Sequence, residues 1–497
     1  MRIEILANVA PALTRVAVLE DGKLVELYLE RAGHESMIGS IYKGRVSNIV
    51  AGMQAAFVDI GTGQDVFLPM EDVFVGNSHT DNPVEAEGEA EEPAPRRRIA
   101  DLLTIGQEIL VQIVKEALGA KGPRGTTHLT LPGRFVVLMP HTDHLGVSRR
   151  IEDPVERDRL LKILAEIRQP GTGLIARTEG QGRQEAEFKE DLEQLQSLWE
   201  TVQVRNSRSA ALSLLYKESD LVQQVARDLF GQGAEHFLID SRAEYERLLE
   251  ACDFLSPELK GRIRLYTEEV PLFTRYNLET EIDRALGRKV WLRSGGYLII
   301  EQTEALSTID VNSGRYITGE DLEETVYRTN LEATELIARH VRVRNLAGII
   351  ILDLIDMQRE DHKREVMSRI KKAFSRDRAK TNILELTELG LVQMTRQRNR
   401  GTLASYMKDH CPYCNGEGRV LRPDIVAARL YREILEKAPR AKGDLLLVSA
   451  HPDIAQLLVQ TREASLRELE ARQGKRIFVR AEEGMHREQY RIEDANQ

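Results

Sequence analysis

The amino-acid sequence predicts a multidomain protein that mixes α+β and α/β segments, and three observations carry that reading. A chain of 497 residues with 42% hydrophobic content exceeds what one core organises and implies three or more domains. Ile38 to Val114 is a series of short β-rich runs split by glycines (I-Y-K-G-R-V, A-A-F-V-D-I-G, D-V-F-L-P, G-Q-E-I-L-V-Q-I-V-K), the pattern of a small Greek-key barrel of the OB type. Trp291 to Asp356 combines apolar strand-like runs with a helical period over Glu323 to Val341, which predicts an α/β layer.

That last stretch carries the chemistry. Its runs are Tyr297 to Glu301, Ser307 to Val311 and Gly348 to Leu352. The last of these is continuous and β-branched, which predicts a strand buried on both faces. Asp310, Asn312 and Asp353 follow from two of these strands. Carboxylates at strand ends lie where sites form in open sheets, and one or two of them suffice to hold Mg²⁺. Asn312 can donate to a carboxylate and fix its orientation. The bland alternative is that Asp310 begins a turn in D-V-N-S-G and Asp353 caps the segment that follows it.

Composition narrows the class. No apolar run is long enough to span a membrane, and Met1 to Ala10 lacks the basic start of a signal peptide. Three cysteines predict a reducing cytoplasm. A net charge of −10 argues against generic polyanion binding, so any nucleic-acid contact must be local. Arg149-Arg150, Arg376 to Lys380 and Arg396 to Arg400 are local basic clusters, each also readable as solvated surface.

From the N-terminus, Val16 to Leu29 predicts two strands joined by Asp21-Gly22, a dipeptide suited to a type I′ turn. Phe57 and Phe67 stand out among 5% aromatics; on an OB surface they would stack on bases, while an isolated strand Phe is ordinarily core. Asn77 to Arg98, with six acids and three prolines, is predicted to be a disordered insertion. Leu131 to Thr178 holds L-P-G-R-F-V-V-L-M-P, V-S-R-R-I and G-L-I-A-R-T-E-G. There Arg177-Thr178 beside glycines offers a guanidinium, a hydroxyl and backbone N–H groups to a phosphate monoester.

Glu185 to Trp199, Leu221 to Phe230 and Arg364 to Phe374 have helical spacing, and Cys252 reads as a buried structural thiol. Cys411 and Cys414 in C-P-Y-C can grip one edge of a zinc ion, whereas a closed structural site takes four ligands. A redox pair, and His410 as a third ligand, are the alternatives. Beyond Arg422, helical and strand patterns predict a small α/β C-terminal domain.

I-D-V-N-S-G at 309–314, G-I-I-I-L-D-L-I-D-M at 348–357, L-V-Q-M-T-R-Q-R at 391–398 and C-P-Y-C at 411–414 together resemble the ribonuclease E/G family of bacterial endoribonucleases. The resemblance covers Met1 to about Val420, and the C-terminal residues match more loosely. It implies a discontinuous ribonuclease-H-like scaffold (1–35 and 224–286), an OB-fold RNA-binding domain (36–127, with the insertion 77–98) and a 5′-sensor (128–223). A DNase I-like catalytic domain (287–407), a zinc link (408–422) and the C-terminal domain (423–497) complete it.

It further implies a Mg²⁺-dependent endoribonuclease cutting single-stranded RNA, stimulated by a 5′-monophosphate, in rRNA maturation and mRNA or tRNA processing. Asp310 and Asp353 then bind Mg²⁺ and Asn312 orients a carboxylate. Gly133, Val137, Arg149, Arg177 and Thr178 take the 5′-monophosphate, and Phe57, Phe67 and Lys121 contact RNA. Cys411 and Cys414 share one zinc across a homodimer. Where the family's larger member supports the 5′ pocket with an Arg, this chain has Lys380, which lacks the planar fork. The rival reading is a catalytically silent RNA-binding scaffold.

Overall fold

The computed structural model describes residues 2–33, 36–74, 98–117, 122–230, 234–255, 257–314, 322–397 and 400–495. Nearly all of the acidic stretch 77–98, and Lys121, lie outside them. The chain forms two units, Met1–Tyr406 and Met407–Gln497.

The first unit contains four sheets. The N-terminal sheet has the order Ile263–Leu265, Ala234–Ile239, Ile3–Ala10, Leu13–Glu20, Lys23–Arg31. Its last two strands turn at Asp21 (φ 47°) and Gly22 (φ 76°), the left-handed pair that a type I′ hairpin requires. One face packs on the helices Leu221–Val225 and Arg242–Leu255, burying Phe230, Phe237 and Cys252. The other packs on Leu272, Phe273, Ile282 and Val343.

A second sheet closes on itself. Ile41–Val50 pairs with Ala55–Asp59 on one side and with Glu108–Lys115 on the other. Val66–Pro69 and Arg124–Thr126 complete a five-strand barrel around Val46, Val58, Leu68 and Val111, the OB-like build predicted. Gly125 faces the interior, where a Cβ would meet Val111 and Val66 at 2.5 and 2.6 Å.

The third sheet, Leu145–Val147, Thr172–Ala176, Val136–Pro140 and Leu131–Pro132, buries Leu138, Leu160, Leu174 and Phe188 in one core with the helices Pro154–Ile167 and Glu185–Arg208.

The fourth sheet runs Lys289–Trp291, Tyr297–Gln302, Leu306–Asn312, Gly348–Asp353, Leu391–Arg396, Thr381–Ile383. Only Leu306–Asn312 and Gly348–Asp353 are parallel neighbours, and parallel pairing demands a long crossover. The helix Leu322–Val343 lies in that crossover and, with Glu360–Phe374, supplies the core residues Ile337, Val341, Val366 and Ile370.

The strand Gly348–Asp353 corrects the sequence-based expectation. It alternates, with Ile350 and Leu352 buried and Ile349 50% exposed. Helices cover one face of the sheet, and the other face is open among the described residues. An aliphatic run cannot by itself distinguish two covered faces from one.

In the second unit, Leu445–Ala450 lies between parallel Arg476–Ala481 and antiparallel Tyr490–Ala495. The helices Pro423–Lys437 and Pro452–Gln473 pack around Leu430, Ile434, Val448 and Leu458. The third strand was not predicted. Its Y-R-I-E-D run is mostly charged, and only tertiary pairing makes it a strand.

The crossover helix holds His340, which is buried and accepts a hydrogen bond from Arg344 Nε at 3.4 Å. Burial, with Arg344 and Arg339 beside it, pushes the imidazole down from 6.5 to about 3. The folded protein keeps this ring neutral while the unfolded chain protonates it below pH 6.5, so its stabilising contribution is lost as pH falls from 6.5 towards 3. By pH 5 the loss is about 2 kcal/mol. Urea unfolding at pH 7 and pH 5 should therefore show a smaller acid-induced loss for His340→Asn than for the parent, and equal losses would assign the acid limb to other groups.

Candidate active site

Parallel register places Asp310 directly beside Asp353, at the C-terminal ends of adjacent strands. Ile309 and Leu352 point into the core, so alternation turns both carboxylates to the open face. Asn312, two residues on and on the same face, donates from Nδ2 to Asp310 Oδ2 at 2.8 Å. The N-S-G and S-G-G motifs explain the tight packing there. A Cβ at Gly296 would meet the Asn312 carbonyl at 2.7 Å, and one at Gly314 would meet the Gly295 carbonyl at 2.5 Å.

Burial, then the neighbouring charges of Asp310 and Asp356, raise the Asp353 carboxyl above the usual carboxylate range. Three acids therefore crowd one site, and both partial desolvation and the neighbouring charges oppose ionisation of Asp353. The loop that follows is clamped from the crossover helix. Asn330 donates to the Ile355 carbonyl at 2.7 Å and accepts from its N–H at 3.1 Å. Glu323 accepts from the N–H groups of Gln358 and Arg359 and meets His362 Nδ1 at 2.9 Å. Asp356, Asn330 and Glu323 were not singled out from the sequence. Only Asp356 left a signal, as the second acid of D-L-I-D.

On the barrel, Phe57 and Phe67 are cross-strand partners with ring centroids 5.9 Å apart in an edge-on arrangement. Both are partly exposed and lie outside the barrel core. Their ordinary core reading does not apply.

The residues around Arg177 gather unequally. Arg177 donates to the Gly133 carbonyl and, from Nη2, to Asp228 Oδ1 at 2.7 Å. Burial opposes ionisation of Asp228, yet the guanidiniums of Arg227 and Arg177 hold its carboxyl below the usual range. Gly133 gives its own N–H to Val136, and a Cβ there would meet both Asp191 carboxylate oxygens at 2.5 Å. Asp191 in turn accepts from the N–H groups of Arg134, Phe135 and Val136 at 2.8 to 3.0 Å. Gly133 thus serves close packing, and Val137 sits mid-sheet between Pro132 and Ile175.

Thr178 Oγ1 lies 2.9 Å from Ser148 Oγ. A cavity of about 590 Å³ is lined by Ser148, Arg150, Arg177, Thr178, Arg378 and Arg400, among others. Arg149 and Lys380 are exposed and are not among the lining residues; their neighbours Arg150 and Arg378 are, joined through Arg150 Nη2 and the Arg378 carbonyl.

In the second unit, Cys411 is exposed and Cys414 half-buried, both as free thiols. The Cys414 N–H, then that of Tyr413, lower the Cys411 thiol below its usual range. Gly418 N–H lies 3.2 Å from Cys414 Sγ. Asn415, Gly416 and Gly418 supply the positive φ that this turn needs. Tyr413 anchors it, its carbonyl 2.6 Å from His486 Nε2 and its ring 4.1 Å from the imidazole. No group of three or more His, Cys, Asp or Glu arranged to hold a metal occurs among the described residues.

Fold and site together define a class: a multidomain α/β protein with an OB-like barrel and a strand-end acid pair of the kind that binds a divalent cation. Comparison with known proteins gives the family. The model of the Ribonuclease E/G family matches residues 130–399, and that of the RNase E/G thioredoxin-like domain matches 410–495. The chain is 42% identical to Ribonuclease G of Escherichia coli K12 and 41% identical to Ribonuclease G of Haemophilus influenzae, each over 99% of both chains. It is 35% identical to Ribonuclease E of Escherichia coli K12 over 96% of this chain and 44% of that protein. The chain belongs to the ribonuclease E/G family. The match at 410–495 extends the likeness into the C-terminal residues, where the sequence motifs were sparse.

Proposed function

We propose that this protein is a metal-dependent endoribonuclease that hydrolyses single-stranded RNA, leaving 5′-phosphate and 3′-hydroxyl ends, and acts in RNA processing. The observation that carries the reading is the side-by-side placement of Asp310 and Asp353 in a chain of the ribonuclease E/G family. The donor set fits a hard cation such as Mg²⁺: the carboxylates offer oxygen ligands, and a cation would offset the burial and the repulsion that raise Asp353. When bound, it supplies positive charge against the phosphoryl oxygens and an activated water. Asn312 holds the Asp310 carboxylate in one orientation, and the Asn330 and Glu323 clamps keep the loop after Asp353 from drifting.

In the same reading Phe57 and Phe67 stack on bases, since a π-face accepts any base. Lys121 would add a backbone contact. Arg177 and Thr178, with the cavity arginines Arg150 and Arg378, form the pocket for a 5′-monophosphate. Residues 287–407 are the DNase I-like catalytic domain, with 1–35 and 224–286 as scaffold. Cys411 and Cys414 share one structural zinc with a second copy of the chain. Backbone N–H groups favour the Cys411 thiolate, Gly418 N–H points at Cys414 Sγ, and two thiols per chain make four in a dimer.

Three outcomes test these roles. Asp310→Asn or Asp353→Asn should retain RNA binding but cut single-stranded RNA at least about a hundredfold more slowly in Mg²⁺. Near-normal cleavage by both removes the pair from the active site. Arg177→Ala should slow cleavage of 5′-monophosphorylated RNA while sparing 5′-hydroxyl RNA; equal losses on both would make Arg177 a structural partner of Asp228 and Gly133. Metal analysis should find about half a zinc per chain, and Cys411→Ser should lose both zinc and dimer. One zinc per monomeric chain, or none, contradicts the shared site.

A further inference from the structure

The edge hairpin of the fourth sheet holds a cation and two aromatic rings for which the reading so far has no use. Lys289 Nζ sits 3.9 Å from the centroid of Trp291 and 3.6 Å from that of Tyr297. The two rings meet edge-on at 5.4 Å. Such a cluster can simply protect a sheet edge, but here Trp291 keeps 62% of its surface in solvent. A large indole left open beside a cation is poorly explained as edge protection alone.

Register ties this cluster to the acid pair. Trp291, Tyr297 and Asn312 form one row across three strands. Lys289, Ile299, Asp310 and Asp353 form the adjacent row. Residues paired across neighbouring strands present side chains to the same face, and the core residues Val290, Leu298, Ile309, Val311 and Leu352 all point the other way. Trp291 and Lys289 therefore share the open face with the carboxylates. Each stands two strands from Asn312 or Asp310, about 10 Å at the usual strand spacing. The acid on the same face at this edge, Glu301, is engaged by Arg288 at 2.8 Å, which leaves Lys289 as the cation facing the rings.

We propose that Trp291, with Lys289 and Tyr297, is a stacking subsite for one base of the substrate strand, a few nucleotides from the phosphate at the acid pair. The proposal rests on the nuclease reading above. Its occupant is single-stranded RNA, because the platform joins an aromatic face to a cation on the same open face as the acid pair. Paired bases would hide the faces that an indole needs. Lys289 would meet the adjoining phosphate as the base seats on the indole.

The chain contains two tryptophans, and the other, Trp199, is partly buried with its ring 5.5 Å from His141. Intrinsic fluorescence thus comes from these two rings, and the Trp291→Phe variant isolates the share of Trp291. The probe is a 5′-hydroxyl single-stranded RNA of about a dozen nucleotides, enough to cross a platform of this size, titrated into full-length Asp353→Asn protein. Its binding should quench tryptophan emission, and Trp291→Phe in that background should abolish the quenching. Trp291→Ala should weaken binding about tenfold or more and, in the otherwise unsubstituted enzyme, raise KM more than it lowers kcat. Trp291→Phe, which keeps an aromatic face, should lose less.

Undiminished quenching in Trp291→Phe, or unchanged affinity in Trp291→Ala, overturns the subsite. So does quenching by a double-stranded RNA equal to that by the single strand. Cleavage by the unsubstituted protein is scored separately. An active enzyme without Trp291 quenching rejects the subsite alone, and Trp291 quenching in a protein that never cuts RNA rejects the nuclease reading alone.

Discussion

The parallel pairing of Leu306–Asn312 with Gly348–Asp353 is the constraint on which the rest of the site depends. An antiparallel neighbour would send its C-terminal end to the opposite edge of the sheet. Only parallel strands bring two such ends together, and register then decides that Asp310 and Asp353 face each other. Two adjacent carboxylates repel, and partial burial adds to the cost. The fold tolerates this because the strands are fixed by a core of Ile309, Ile350, Leu352 and Val392 whose burial cannot be kept if the register slips by one residue.

The crossover helix required by that pairing also joins the fourth sheet to the N-terminal one. Its Asn330 and Glu323 hold the loop beyond Asp353. At its other end Arg342, nearly inaccessible, donates to Glu20 at 2.8 Å and Glu26 at 2.9 Å, one from each strand of the Asp21-Gly22 hairpin. Arg339 reaches the Leu24 carbonyl of the same hairpin at 2.8 Å. Tyr28 donates to Glu26, and Arg400 lies 3.8 Å over the Tyr28 ring. Buried pairs of this kind add little net stability, but they penalise every arrangement that leaves one partner alone. One helix thereby fixes both the acid pair and its scaffold.

Local signals were legible in the sequence where local physics decides. Asp21-Gly22 needs only a left-handed turn, the barrel strands only glycine-punctuated β runs, and Asp310 with Asp353 only a charge placed after aliphatic residues. What the residues alone do not carry depends on partners distant in the chain. Ala234–Ile239 joins Ile3–Ala10 from more than two hundred residues away; no pattern in either segment names the other, and only the family resemblance linked 1–35 with 224–286. Which arginines line the cavity is not legible in the sequence for a different reason. Arg149 and Arg150, or Arg378 and Lys380, are equivalent as sequence, and the path of the backbone through each turn selects which one lines the cavity. The open sheet face belongs to the same class: I-I-I-L carries no mark of whether a second cover exists, and the 50% exposure of Ile349 shows a face open among the described residues.

An acidic protein that handles RNA must also solve an electrostatic problem. With a net charge of −10, long-range attraction does not gather a polyanion, and binding cannot rest on many phosphate contacts. Aromatic stacking escapes that limit, because it depends on desolvating flat faces and is insensitive to net charge. Phe57 and Phe67 on the barrel are half-exposed, and Trp291, on the open face that carries the acid pair, is largely exposed, in a chain only 5% aromatic. Each occupies a β-sheet surface, where alternation turns a side chain outward while its neighbours anchor the strand. In the proposed reading, cations then serve locally, Lys289 against two rings and the arginines around the 590 Å³ cavity. Affinity built this way selects unpaired strands, since a duplex hides the faces that the rings require.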